Sequence, residues 1–255
     1  MTWEPLFIQK LAQKNQELQE KLIAAEQWIE REFSDMQLRR HKEETTDNTR
    51  IKLTETPEHI KKRITKYFQE ESLLLGEENQ KLLVDSEINF YHIVRNKELD
   101  GFVVTNTYQK ILEDLFEVCI VSHFREKNKR TRLHPGKNDL LEKTLYKVIH
   151  QDFHLSLGKI YQILERIMWW SDGSDLIQLF EESLRELPAY AMMNDATFWE
   201  DLTESMNTGA FGEKRHTGKI TFQDVQKLRT IMTGNFSKGG FIKNILHFFA
   251  TKEEL

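Results

Sequence analysis

The stretch FVVTNTYQKILEDLFEVCIVSHF, Phe102 to Phe124, decides the fold. Val103, Val104, Tyr108, Ile111, Leu112, Leu115, Phe116, Cys119 and Ile120 form a wide apolar band with three- and four-residue spacing. A helix with so broad an apolar face belongs at the centre of a core. Four Pro and eleven Gly in 255 residues leave few breakers, which favours long helices. Downstream, Leu140–Phe153, Leu157–Trp170, Leu176–Leu187, Phe198–Met206 and Phe241–Ala250 read as further helices. Upstream, Asn79–Lys97 reads as another, and Thr56-Pro57-Glu58 opens one whose inner face is Ile60, Ile64 and Phe68. Ile220-Thr221-Phe222 fits a short strand or a helix start. Thr221 followed by Asp224 resembles a capping box and favours the helix. With no βαβ alternation and no solenoid repeat, the expected fold class is all-α: a multi-helix bundle over residues 58–255.

Residues 1–40 have a different character. Leu11, Leu18 and Ala25 recur every seven residues, and so do Leu22, Ile29 and Met36, offset by four. This is an a/d stripe, interrupted at Asn15 and Glu32. About three heptads are marginal for a lone helix, so this coiled-coil-like helix should pair. A second copy, a partner protein and the chain's own domain are the candidates, with Leu11, Leu18, Leu22, Ile29 and Met36 as the contact residues. His41 to Pro57 is polar and reads as a linker.

Composition excludes several classes. Aromatics reach 11%, with sixteen Phe and five Trp, which argues against disorder despite 30% charged residues. A net charge of −5 leaves room only for a local basic patch on a polyanion binder. The single cysteine, Cys119, excludes an internal disulfide and multi-cysteine metal sites, and its apolar neighbours predict a buried inert thiol. No run approaches a membrane span and the start shows no signal-peptide pattern, so a cytoplasmic location is the expectation.

The motifs mostly fail their chemistry. In GAFGEKRHTGK, five residues lie between Gly212 and Gly218 where a P-loop has four, and Ile220 stands where it needs a hydroxyl. His150 and His154 would share a helical face as zinc ligands do, but they have no third ligand. An EF-hand counted from Asp172 meets Leu176 at position five and Ser183 at position twelve. Ser174 or Asp175 as a helix N-cap explains that segment instead. No serine-triad or HExxH pattern occurs. No metal and no cofactor is therefore expected. Trp169-Trp170 is expected to pack between helices.

The strongest basic cluster is the segment after Phe124, read as a charged loop over Arg125–Asn138. It holds Arg125, Lys127, Lys129, Arg130, Arg132 and Lys137, with Glu126 its one acid. These cations can neutralise phosphates, although the loop lacks the interleaved aromatics that stack bases.

The C-terminal third has a further layout: a helix with Phe198-Trp199, a glycine-punctuated junction with Arg215-His216, the capped helix ITFQDVQKLRTIM, a Gly-Gly turn and a final apolar helix. Together with NTYQKILEDLFEVCIVSHF, it resembles the HEPN-like helical domains of prokaryotic defence and toxin systems, over about Glu78 to Leu255. That resemblance implies metal-independent RNA cleavage by an R-x(4–6)-H pair. Here the positions five to seven before His216 are Gly209, Ala210 and Phe211, and no other histidine has an Arg there. Lys127 and Lys129 before His134 are the nearest substitutes, and lysine lacks the bidentate fork.

Residues and resemblance together predict a non-catalytic helical interaction or regulatory protein, a component of a bacterial defence or stress system. Two alternatives stand beside it. One is a divergent ribonuclease using His216 or His134, and the other is a nucleic-acid binder using the basic segment 125–137.

Overall fold

The computed structural model describes residues 56–170, 174–207, 219–237 and 239–250. The heptad helix, most of the linker and the Arg215-His216 junction lie outside the described residues. The described residues are helical, with no strand among them. No helix among them is long and apolar enough to cross a membrane.

The chain opens with α1, Pro57–Tyr67, where Pro57 sits in the first turn and Thr56 Oγ1 accepts from the His59 N–H. Ile60, Ile64 and Phe68 are buried as their spacing predicts. Helix α2, Ser72–Arg95, begins earlier than expected and bends at Gly76, whose φ of 74° suits glycine. Helix α3, Phe102–Phe116, is the central element. Val104, Tyr108, Ile111, Leu112, Leu115 and Phe116 are buried on it. Val103 is 55% exposed, because its neighbour Val104 takes the inward direction and adjacent helical positions diverge.

After Phe116 the chain makes one π-helical turn, Glu117–Val121, and continues as α4, Ser122–Asn128. The expected loop at Arg125 is therefore helix as far as Asn128. Asn128 is buried, and its Nδ2 donates to Phe124 O at 2.9 Å and Ser183 Oγ at 3.1 Å. The extra residue of a π turn re-aims the helix and leaves Cys119, Ile120 and Val121 inward. Burial pushes the Cys119 thiol up to about 12.

The remaining helices are α5 (Leu140–Gln151), α6 (Leu157–Trp169), α7 (Asp175–Arg185), α8 (Ala189–Met193), α9 (Ala196–Asn207), α10 (Phe222–Thr233) and α11 (Phe241–Ala250). The capping box of α10 is formed: Asp224 N–H donates to Thr221 Oγ1, and Thr221 N–H donates to Asp224 Oδ2 at 3.0 Å. Ser174 is the N-cap of α7, but the acceptor at that end is Glu142 of α5. Its Oε1 takes the Ser174 hydroxyl and, at 3.2 Å, the Leu176 N–H.

An ionic cluster lies in the core of the bundle. Glu87 of α2 is fully buried, and Arg229 of α10 and Arg63 of α1 both donate to it. The Arg229 guanidinium also lies 4.6 Å from the Phe90 ring centroid and 5.7 Å from that of Phe236. Its Nη1 donates to Asn235 Oδ1 at 2.5 Å. Gly234, Asn235 and Phe236 all have positive φ, of 53°, 56° and 56°. Arg229 thus clamps a left-handed turn that costs free energy at its two non-glycine positions.

Candidate functional site

The six basic residues expected to form one patch divide into two groups. Arg125 is held between Glu117, at 2.7 Å, and Asp152, at 3.2 Å, and its Nε donates to Val148 O. Lys127 pairs with Glu186 at 2.7 Å, and Lys129 with Glu126 at 2.6 Å. Lys127 holds the Glu186 carboxyl below its usual range, with a smaller contribution from His123. These three cations are compensated: Arg125 and Lys127 by residues that the packing of α4 beside α5 and α7 brings near, and Lys129 by its own neighbour Glu126. Arg130, Arg132 and Lys137 follow the helix, are exposed, and carry no ion pair among the described residues.

Tertiary packing adds other groups to that second set. The segment after Asn128 passes alongside α5, where the His134 ring lies 6.0 Å from Tyr146 and Tyr146 lies 4.4 Å from His150. Here a groove of about 450 Å³ is lined by Pro135, Leu140, Lys143, Tyr146, Lys147 and Lys159, among others. Lys143 and Lys147 stand one turn apart on α5, and Lys159 comes from the first turn of α6. None of the three meets a carboxylate among the described residues; Lys159 Nζ donates to Gln162 Oε1 at 3.1 Å. Lys147 Nζ lies 5.8 Å from the Phe153 ring centroid.

The nearby acids are already engaged. Asp139 caps α5 through the N–H groups of Leu141 and Glu142 and pairs with Arg166 at 2.6 Å. Burial alone would raise the Asp139 carboxyl, but the Glu142 N–H and Arg166 outweigh it and the net shift is downward. Glu142 is buried, and besides holding α7 its Oε2 accepts the Gly136 N–H at 2.5 Å. That one carboxylate fastens the segment carrying Arg132 and Lys137 to the body of the bundle.

The candidate catalytic histidines do not come together. His216 lies outside the described residues. The His134 ring lies tilted against Tyr146. His150 and His154 do not share a helical face, since α5 ends at Gln151 and Asp152 adopts a left-handed φ of 51°. His154 Nδ1 instead faces Glu117 at 3.5 Å. Among the described residues no group of three or more His, Cys, Asp or Glu side chains is placed to hold a metal. Trp169 and Trp170 are each 68% exposed, contrary to the expected inter-helix packing. Helix α6 ends there, and Trp169 meets Trp199 only ring to ring, at 6.3 Å.

Lys143, Lys147, Lys159 and Tyr146 are the members that reading the segment 125–137 alone misses. Their local signal is the Lys143–Lys147 spacing of four, which places two cations on one helical face. No family model, curated protein or solved structure matches this chain.

Proposed function

We propose that this chain is a non-catalytic, all-helical binding module of the HEPN-like kind, and that the face formed by α5, the first turn of α6 and the segment 129–139 receives a nucleic acid. The observation that carries this reading is charge. Lys143, Lys147 and Lys159 line this groove, and Arg130, Arg132 and Lys137 are exposed on the segment that leads into it, all without a carboxylate partner among the described residues, in a chain whose net charge is −5. Cations left uncompensated in an acidic protein concentrate positive potential where a phosphate backbone would lie. Tyr146 supplies the aromatic surface that the basic segment itself lacks. A role in a bacterial defence or stress system, with the heptad helix of residues 1–40 contacting a partner protein or a second copy, belongs to the same proposal.

The test is fluorescence anisotropy of a labelled RNA against the full chain over a series of salt concentrations. The expected result is affinity that falls steeply with salt and is weakened by charge reversal at Arg130 and Arg132 together. A flat salt response, or no loss on R130E/R132E, overturns the reading. Light scattering of the chain with and without residues 1–57 tests the contact role of the N-terminal helix, and identical monomers would remove self-association.

A further inference from the structure

The groove along α5 is lined by that helix, by Lys159 of α6 and by Pro135 of the segment before α5. The Arg166–Asp139 pair at 2.6 Å fastens the last turns of α6 to the N-cap of α5. Lys159, in the first turn of α6, lines the same groove as Gln151 at the other end of α5. The two helices are therefore antiparallel, and the groove follows α5 for about 18 Å, the length of twelve residues at 1.5 Å each. Its walls are mostly apolar, with Pro135, Leu140, Tyr146 and three lysines among the lining residues, and lysine commonly buries its stem while its ammonium stays in water. An exposed aromatic follows each of the two helices. Phe153 follows α5, and Trp170 follows α6, one turn beyond the residue paired to Asp139. Trp170 has no ring partner among the described residues.

Resting on the nucleic-acid reading above, we propose that this groove takes a single strand rather than a duplex: phosphates run along Lys143, Lys147 and Lys159, and bases stack on Phe153 and Trp170. A duplex presents phosphates and keeps its base faces covered, so it gains nothing from an apolar floor or from exposed aromatics. A single strand uses both, since every base has a π-face to stack. Charge selects the class of partner here, and the exposed aromatics select its strandedness.

The experiment compares labelled oligo(dT) with a duplex DNA of equal length, by anisotropy and tryptophan quenching, using the full chain and the variants W170A, F153A and K143A/K147A. Trp170 is exposed at a helix end, so W170A leaves the fold intact, and circular dichroism checks this. The expected result is a single-strand preference that W170A weakens by about tenfold, the effect of losing one stacked base. W170A should leave the salt slope unchanged, whereas K143A/K147A should lower it by about 0.7 per lysine. Equal affinity for both probes, with W170A and F153A indifferent, overturns the single-strand inference while salt-dependent binding keeps the broader reading. No binding of either probe overturns both.

Discussion

Arg229 donates to both carboxylate oxygens of Glu87, through Nε at 2.6 Å and Nη2 at 2.8 Å, although 142 residues separate the two in sequence. Arg63 reaches the same carboxylate at 3.0 Å, so α1, α2 and α10 are joined at one buried point. Burial works to lower the Arg229 pKa, but Glu87 outweighs it and the guanidinium is held above its ordinary value. Burial first, and Glu87 second, raise the Tyr108 phenol. Glu87→Gln should cost roughly 3–5 kcal/mol, because it strands buried guanidinium charge. Arg229→Met should cost a similar amount. The double variant E87Q/R229M should be less destabilised than the sum of the two single changes, in urea unfolding. Additive losses would show that the pair does not act as a unit.

Gly101 marks a close approach between the start of α3 and α10. Its N–H donates to Ile220 O at 3.0 Å, and a Cβ there would meet Val225 Cγ2 at 2.0 Å. Gly101→Ala should destabilise by about 1–3 kcal/mol through overpacking. The penalty should shrink in a Val225→Ala background, measured as the shift in thermal midpoint between matched pairs. An undiminished penalty would locate the clash elsewhere.

Glu142 gathers the N–H groups of Gly136 and Leu176 on one buried carboxylate. Glu142→Ala leaves the buried Leu176 N–H unpaired, at a cost of about 1–3 kcal/mol, while water can replace the carboxylate at the exposed Gly136. Hydrogen exchange should show lost protection at Gly136 and Leu176 together. Protection lost at one amide alone would separate the basic segment from the start of α7.

The Asp139 carboxyl titrates below its usual value because the Glu142 N–H and Arg166 outweigh its burial. A folded-state pKa lower than the unfolded value of about 3.9 gives stability that is present above that value and lost as pH falls through the folded one. Asp139→Asn keeps a capping side chain but removes the charge. It should be less stable than wild type at neutral pH, and the gap should close below about pH 4. A gap independent of pH would deny the carboxylate this role.

Burial raises the Cys119 thiol to about 12, so at pH 8 it stays protonated in the fold. Alkylation by iodoacetamide at pH 8 should therefore be slow in the folded protein and fast in urea. Rapid labelling without denaturant would show that the π-helical turn opens.

Much of the fold is legible locally. Helix α11 spans the expected Phe241–Ala250, α10 carries its capping box, and Ile60, Ile64 and Phe68 face inward. The errors sit where a local rule meets a neighbour. Positive charge after Phe124 suggests a loop, but Phe124 and Asn128 find buried partners and the helix continues through them. Trp169 and Trp170 look like core residues by type, yet α6 carries them past its last packed turn.

By itself the sequence determined helix type, most inner faces and the burial of Cys119, because apolar periodicity and capping act over a few residues. Only the tertiary structure decided which charges are spent and which remain. Arg125, Lys127 and Lys129 meet carboxylates, while Lys143, Lys147 and Lys159 gather without one. Ionic partners such as Glu87 and Arg229 follow from which helices abut, and that depends on burying apolar faces drawn from the whole chain.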